Sequence, residues 1–338
     1  MTTLKSALYY ITSPILILKD YPVLFKWKDV YIVTGGFINS ISAIFSFLVG
    51  MYFYKTMFPV ETAGSGWLWK LVAVVFFSLL FSKVFHFFAL GREFFRNPRK
   101  HLAETAFYNQ GGQIGVFLGT VWYSWATGID FLACMDINLT AGCLSLSLGR
   151  IGCYSYGCCH GRQTSSRFST TYTHPLTKAL RVFPELANVP LVPTQLISAG
   201  YAFALFMVML WVMTTSPSAG VVSAIFILSY NLFRVFIERY RLSVINISAK
   251  TVHMRFYMAV ATTIMGFGAA YLIYVLWDNA PKLTFQAPLG IGEFILRDVL
   301  NFQTIVAIVI IFFTYLLFWG THYKQLGQHF EWSDKTTP

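Results

Sequence analysis

The chain contains 338 residues, of which 56% are hydrophobic and 12% are charged. A soluble globular domain has about 25% charged residues and about 45–50% apolar residues, so this composition excludes a soluble enzyme and a disordered protein. The formal net charge is +11. In a membrane protein such an excess of Lys and Arg is typical of loops that face anionic lipid headgroups, so no nucleic-acid partner is expected.

The apolar stretches predict the secondary structure, because a helix needs about 20 apolar residues to cross a bilayer. Asp136 and Asn138 interrupt the fourth of these stretches. We expect an all-α polytopic membrane protein, a bundle of seven or eight transmembrane helices with a large loop domain after helix four. The predicted helices lie at about 31–53, 67–90, 112–129, 131–148, 195–213, 220–237, 256–277 and 303–319.

Polar interruptions divide the chain into units. The apolar run Ile11–Leu18 is too short to cross a bilayer, so the first residues are expected to lie along the membrane interface. The largest interruption, rich in Ser, Thr, Tyr and Cys, follows the fourth helix. The predicted units are an interfacial amino-terminal segment (1–30), a transmembrane core (31–277) with a membrane-face loop domain (149–193), an interfacial loop with an extra transmembrane helix (278–320) and a polar tail (321–338).

Lys and Arg are distributed unequally between the two faces of this bundle. If eight helices cross, most of them fall on the face that holds both termini, and the opposite face holds only Lys55, Lys282 and Arg297. Because short loops rich in Lys and Arg stay in the cytoplasm, both termini are expected there. Five cysteines without the spacing of a disulfide framework also suit a reducing compartment.

A polar cluster, Gly149–Arg162, follows the fourth predicted helix. Arg150 is expected where the chain leaves the bilayer, either binding an anion or reaching to lipid headgroups. Cys158, Cys159 and His160 allow three interpretations: neutral packing in a tight turn, a thiolate nucleophile with His160 as proton acceptor, or a zinc site. Adjacent Cys-Cys-His lacks the usual ligand spacing, so neither a metal nor a cofactor is expected.

Three further polar elements are expected on the same face, at the starts of helices three and five and the end of helix six: Asn109–Gly115, Pro193–Gln195 and Phe233–Arg241. Arg234, Glu238 and Arg241 are spaced i, i+4 and i+7, so they lie on one helical face. Buried charges in membranes usually pair, so a structural Arg–Glu pair is one interpretation. Two arginines beside one glutamate leave net positive charge, which suits a phosphate group.

At these elements the chain resembles the prolipoprotein diacylglyceryl transferase family. Its members move a diacylglyceryl group from phosphatidylglycerol to a cysteine thiol and release glycerol phosphate. The family signature G-R-x-G-N-F-x-N-x-E-x-x-G resembles Gly149–Gly161 and places its arginine on Arg150. Its two asparagines and its glutamate fall on Cys153, Tyr156 and Cys158, so those side chains differ from the family pattern.

The remaining family motifs keep their order along the chain. F-R-x-x-x-E-x-x-R falls on Phe233–Arg241, P-S-Q-L resembles Pro193–Leu196, and the histidine of H-G-G is replaced by Gln110. Together with the thiol chemistry, the resemblance implies two sets of site residues. They are the catalytic candidates Arg150, Arg234, Glu238, Cys158 and His160, and the substrate-binding candidates Gln110, Gly111, Gly112, Cys153, Tyr156, Gln195 and Arg241.

We therefore expect a membrane-embedded transferase whose donor is an anionic phospholipid such as phosphatidylglycerol and whose unidentified acceptor carries a thiol or hydroxyl group. A non-enzymatic lipid or solute transporter on the same bundle is the alternative, and a thiol redox protein is a third hypothesis. The expected location is the bacterial inner membrane. The resemblance places the motif face outside the cytoplasm, but the charge bias places it inside, and we follow the charge bias.

Overall fold

The computed structural model describes residues 15–64, 66–90, 92–96, 98, 109–241, 263, 266–272, 274, 282–286, 289–323 and 326. Its long helices are α1 (Thr34–Met57), α2 (Gly66–Leu90), α3 (Asn109–Thr127), α4 (Phe131–Tyr156), α5 (Thr194–Thr214), α6 (Val221–Glu238) and α7 (Phe302–Tyr315). A π-helix over Leu316–Gly320 continues α7. Shorter helical segments span Leu18–Asp20, Arg92–Arg96, Lys178–Val182, Pro184–Leu186, Ile291–Phe294 and Ile295–Val299.

The polytopic helical membrane architecture is confirmed. Within the described ranges, all of the long helices except α3 are long and apolar enough to cross a bilayer. The less apolar α3 packs along α2 and against α4. The predicted helix at about 256–277 lies largely outside the described residues, but the described residues 266–272 are helical.

The two ends of the bundle differ in chemistry. We use the term motif end for the end of the bundle at which α4 and α6 finish and α5 begins. Arg241 follows α6 at the motif end. At the opposite end, the backbone of Lys282 forms a β-bridge with that of Ser218, which precedes α6. Arg241 and Lys282 thus lie at opposite ends of the bundle.

A small antiparallel sheet joins the two terminal regions, and the sequence analysis did not predict it. Its strands are β1 (Val23–Trp27), β2 (Val30–Val33) and β3 (Thr321–Tyr323). The hairpin β1–β2 pairs through β2 with β3, which follows α7. His322 of β3 stacks on Tyr156 at the end of α4, which places the sheet at the motif end. The predicted segment 1–30 and the predicted tail 321–338 thus contribute strands to one sheet.

The central helix α4 contains polar side chains that stabilise its neighbours. Buried Asp136 accepts hydrogen bonds from the N–H groups of Gly220 (2.7 Å) and Ser223 (2.6 Å), where α6 begins. A carboxylate at this position satisfies N–H groups that lack partners within the helix and interacts favourably with the helix dipole. Asn138 donates to the hydroxyl of Thr120 on α3 (2.9 Å). The two polar residues in the fourth apolar stretch are therefore structural.

The motif end of α4 is longer than predicted. The helix continues to Tyr156 instead of ending near residue 148. Here α1 and α4 approach closely, since a Cβ added to Gly35 would lie 2.6 Å from the carbonyl oxygen of Gly152. Arg150 consequently lies inside the last two turns of α4 and not at the end of the helix, where the predicted boundary placed it.

A folded loop, residues 157–193, lies over the motif end and has a small apolar core of its own, formed by Tyr172, Ala179, Leu180 and Leu191. The Tyr172 hydroxyl donates to the carbonyl of Tyr154 in α4 (3.3 Å). The Tyr154 hydroxyl in turn lies 3.1 Å from that of Thr170. These contacts fix the loop on the last turn of α4, so its side chains have defined positions over the motif end.

Replacing the buried cap tests this account of α4. We expect Asp136→Ala to destabilise the protein by about 1–3 kcal/mol for each of the two N–H groups left without an acceptor. The matched control is Asp130→Ala, because exposed Asp130 also accepts from a helix N-terminal N–H, that of Ala133, and loss of such a cap costs about 1 kcal/mol. Thermal unfolding in detergent measures both, and equal losses would contradict the structural role of Asp136.

Candidate functional site

Two arginines share one carboxylate where α6 ends. Glu238 Oε2 lies 3.1 Å from Arg234 Nη2 and accepts a hydrogen bond from Arg241 Nη1 at 2.9 Å. The three side chains are 13–16% exposed. The i, i+4 and i+7 spacing that predicts a shared helical face therefore corresponds to direct contact, although Arg241 lies just beyond the last helical residue.

A third guanidinium comes from α4. Arg150 is hydrogen-bonded to the side chain of Tyr230 on α6 and interacts electrostatically with Arg234 and Arg241. Arg234 Nε is buried and has no hydrogen-bond partner among the described residues. Three cationic groups and one carboxylate give this cluster a formal charge of about +2, because arginine stays protonated in proteins. Such a cluster is suited to a group with negative charge and several acceptor oxygens.

The loop after α4 turns back towards the helix. Gly157 ends α4 in the left-handed conformation (φ +74°), which glycine adopts without steric cost. Cys159 is also left-handed (φ +57°). Thr194 Oγ1 donates to the Cys159 carbonyl, and Gln195 Nε2 donates to the Cys158 carbonyl, both at 2.7 Å. The start of α5 thus fixes the backbone of the cysteine loop.

The same loop is paired with the end of α6. The backbones of Gly161 and Arg241 form an antiparallel β-bridge, and the N–H of Arg162 donates to the Tyr240 carbonyl at 2.9 Å. The Gly161 N–H donates to the carbonyl of Val192, which precedes α5. Segments that are far apart in the sequence therefore meet at one place, next to the guanidinium groups.

Three thiols come together in this loop. The sulfur atoms of Cys153, Cys158 and Cys159 all lie within 4.8 Å of one another, and among the described residues they are the group whose ligand atoms are close enough to share a metal ion. The other two cysteines, Cys134 and Cys143, are buried in α4 and belong to the main apolar core. All of these thiols are free of disulfides.

The thiols beyond α4 differ in acidity. Hydrogen bonds from Cys153 and then Cys158, together with the charges of Arg241 and Arg150, lower the pKa of the Cys159 thiol well below its usual value. Hydrogen bonding to Cys153 and Cys159, together with burial, raises the pKa of Cys158. The thiolate is therefore favoured at Cys159, whereas the sequence analysis selected Cys158 as the reactive thiol.

Two basic side chains lie beside this loop. Burial lowers the pKa of His160, whose Nδ1 lies 3.2 Å from the Gly161 carbonyl oxygen and whose ring meets Phe183 edge to face. A neutral imidazole of this kind is able to accept a proton. Burial also lowers the pKa of Lys178, which interacts electrostatically with Cys158 and Cys159. The sequence analysis did not select Lys178, and its position as the first residue of a short loop helix gives no motif from which to find it.

Other predicted substrate-binding residues lie elsewhere. The Tyr156 hydroxyl accepts from Arg181 Nη2 at 2.8 Å, beside the terminal sheet. Gly111 and Gly112 pack α3 against α2, since a Cβ on Gly111 would lie 2.3 Å from the Phe81 carbonyl oxygen. Packing alone accounts for these glycines. The side chain of Gln110 lies outside the described atoms.

Gln195, at the start of α5, lies inside the site and is buried against the cysteine loop. Its Nε2 atom also donates to the Tyr172 hydroxyl at 3.1 Å, while its Oε1 atom is buried and has no partner within the described part of the chain. The structure adds one neighbour that sequence reasoning missed, Tyr230 beside Arg150, and it places Thr194 of the Pro193–Leu196 motif beside Cys159. Both contacts are tertiary, and no motif in the sequence indicates Tyr230.

Comparison with known proteins gives consistent matches. A family model described as prolipoprotein diacylglyceryl transferase matches residues 22–276. Relatives named phosphatidylglycerol–prolipoprotein diacylglyceryl transferase include those of Clostridium tetani (30% identity over 38% of this chain and 47% of the relative) and Shewanella oneidensis (31% over 39% and 45%). The chain spans about half the length of these two. The relative from Dehalococcoides mccartyi is 24% identical over 63% of this chain and 79% of its own length.

The difference in acidity between the thiols is measurable by alkylation. In metal-free protein, we expect the rate at which iodoacetamide modifies Cys159 to rise with pH and to reach its midpoint below the ordinary cysteine pKa of about 8.5. The reason is that the pKa of the Cys159 thiol is lowered. Cys153→Ala removes a hydrogen bond to that thiolate and shifts the midpoint upwards. Peptide mass spectrometry across pH gives the profile.

The control for this measurement is Cys134→Ala, which removes a thiol from the main core and leaves the cysteine loop intact. We expect the Cys159 profile to be the same in this variant as in the unsubstituted protein. A Cys159 midpoint at or above the ordinary value, or one that ignores Cys153→Ala, contradicts the assignment.

Proposed function

This chain belongs to the prolipoprotein diacylglyceryl transferase family, and we propose that it transfers a diacylglyceryl group from phosphatidylglycerol to an acceptor with a thiol or hydroxyl group, releasing glycerol phosphate. The observation that carries this proposal is the cluster of Arg150, Arg234 and Arg241 around the single carboxylate of Glu238. The relatives' names give phosphatidylglycerol as donor and prolipoprotein as acceptor.

The guanidinium cluster suits both the substrate and the leaving group of this reaction. A phosphodiester carries one negative charge, and the departing glycerol phosphate gains a second one as the bond between the glyceryl carbon and the phosphate oxygen breaks. Fixed cations next to that oxygen stabilise the transition state more than the ground state, which lowers the barrier. Glu238 orients Arg234 and Arg241 while leaving net positive charge for the lipid.

The acceptor must lose a proton as it attacks the glyceryl carbon. In the resemblance, the family's histidine falls on Gln110, so a basic group is missing at that position. Among the described residues, neutral His160 is a proton acceptor available beside Arg241. Because the family asparagines and glutamate fall on Cys153, Tyr156 and Cys158, we assign the acceptor only by its reacting group.

The protein is a multi-pass membrane protein, and we place it in the bacterial inner membrane with the motif end in the cytoplasm. The support is the excess of Lys and Arg at that end. The terminal strands β1 and β3 lie at the same end as the site, so one topology applies to both. A cytoplasmic site also suits the free thiols.

Removing a guanidinium tests the transferase proposal. We expect Arg150→Gln to lower the rate of glycerol phosphate release from radiolabelled phosphatidylglycerol vesicles by about 10²–10³-fold, the usual effect of losing one charge-stabilising donor. The matched control is Arg162→Gln, because Arg162 is an exposed cation of the same loop that stacks on Tyr240.

The control is expected to keep its rate within a few-fold of the unsubstituted protein. If phosphatidylglycerol stays chemically intact with every thiol and hydroxyl acceptor supplied, the transferase proposal is wrong. Movement of intact lipid between vesicle leaflets in the same preparation would then favour the transporter.

Orientation is tested by protease sites inserted at two exposed positions, after Ala63 at the opposite end and after Ser165 in the loop over the motif end. With a cytoplasmic motif end, protease added outside intact spheroplasts cleaves at Ala63 and spares Ser165, and permeabilisation exposes both sites. The reverse pattern contradicts the charge-based orientation and agrees with the one that the resemblance implies.

A further inference from the structure

We propose that Cys153, Cys158 and Cys159 form a binding site for one soft metal ion, Zn²⁺ or a similar d¹⁰ cation, with a fourth position open to the acceptor thiol. The three sulfur atoms already lie within 4.8 Å of one another. Around a tetrahedral zinc ion with Zn–S bonds of about 2.3 Å, sulfur atoms lie about 3.8 Å apart. Side-chain shifts of about 1 Å therefore bring all three sulfurs into range.

The local fold explains why this set is hard to find in the sequence. Cys153 lies in the last turn of α4, and Gly157 reverses the chain so that the next two residues return to it. The N–H of Cys158 donates to the Cys153 carbonyl at 3.1 Å. Adjacent Cys158 and Cys159 lack zinc spacing by themselves, and the third ligand comes from the helix that precedes the turn.

The backbone of the site is held in place before any ion binds. Thr194 and Gln195 at the start of α5 each donate a hydrogen bond of 2.7 Å to the carbonyl groups of Cys159 and Cys158. Contacts outside the ligands that fix their orientation are typical of metal sites and strengthen binding. The loop also pairs with Arg241 through Gly161, which leaves it little freedom to move.

The charge of the surroundings suits a thiolate complex. Arg150, Arg241 and Lys178 each interact electrostatically with Cys159. Three thiolates and one divalent ion carry a formal charge of about −1, so the loaded site is an anion among buried cations. These residues do not form a carboxylate site for a hard cation. Their soft sulfur ligands favour zinc or copper(I).

The role of the ion rests on the proposed transfer. An acceptor thiol that takes the open position loses its proton to solvent, because metal-bound thiols are deprotonated. Its sulfur attacks the glyceryl carbon of the phospholipid, a C–S bond forms, and the C–O bond breaks with its electron pair on glycerol phosphate. The oxidation state of zinc does not change. The ion would thus activate the acceptor in a chain that has Gln110 in place of the family histidine.

Cadmium titration of the purified full-length protein in detergent tests the site directly, because Cd²⁺ bound to thiolates has a strong ultraviolet charge-transfer band. We expect saturation at about one ion per chain, competition by Zn²⁺, and loss of most of the band in Cys153→Ser and Cys159→Ser. The control variants Cys134→Ser and Cys143→Ser remove thiols from the main core and should keep the full band. Thermal unfolding of each variant shows whether it is folded.

An unsubstituted protein without a saturable band overturns the proposal, as does a band that depends on Cys134 or Cys143 and not on the loop thiols. Transfer assays separate this result from the proposed function. If cadmium binds but phosphatidylglycerol is never consumed, the transferase proposal fails and the metal site stands. If metal-stripped protein transfers the lipid at an unchanged rate, the metal role fails and the transferase stands.

Discussion

Buried positive charge is the constraint on which the architecture of the motif end depends. Arg150, Arg234 and Arg241 lie together with a single carboxylate, Glu238, between them. In a low-dielectric setting such a cluster is stable only when further negative charge or hydrogen-bond acceptors are nearby. In the proposed reaction a phospholipid headgroup supplies both, and a thiolate at Cys159 supplies part of the charge. The same imbalance suits the proposed donor lipid and favours ionised sulfur in the adjacent loop.

Helix α4 connects this charged end to the rest of the bundle. Near its start, buried Asp136 satisfies the first N–H groups of α6, and near its end Arg150 is hydrogen-bonded to Tyr230 of the same helix. The two helices are therefore held together at both ends. This pairing fixes the distance between Arg150 and Arg234 of α6, and catalysis by fixed charges requires such a rigid arrangement.

The cysteine loop shows how a family framework acquires different chemistry. Amide and carboxylate side chains of the family pattern are replaced here by sulfur and phenol groups, while the arginines are retained. Thiols accept and lose protons nearer to neutral pH than amides do, and they bind soft metal ions. The groups proposed to hold phosphate thus match the family pattern, whereas the groups proposed to lie next to the acceptor differ from it. This contrast is consistent with a common donor lipid and a different way of activating the acceptor.

The sequence by itself determined the polytopic helical class, the family, and the shared face of Arg234, Glu238 and Arg241, because apolar length and helical period are local properties. Only the tertiary structure showed that α4 continues past residue 148, since the contact of Gly35 with Gly152 involves a different helix. It also decided the pairing of the two terminal regions in one sheet and the meeting of three thiols. Each of these depends on contacts between segments distant in the sequence or on a chain reversal, and hydrophobic periodicity contains no information about them.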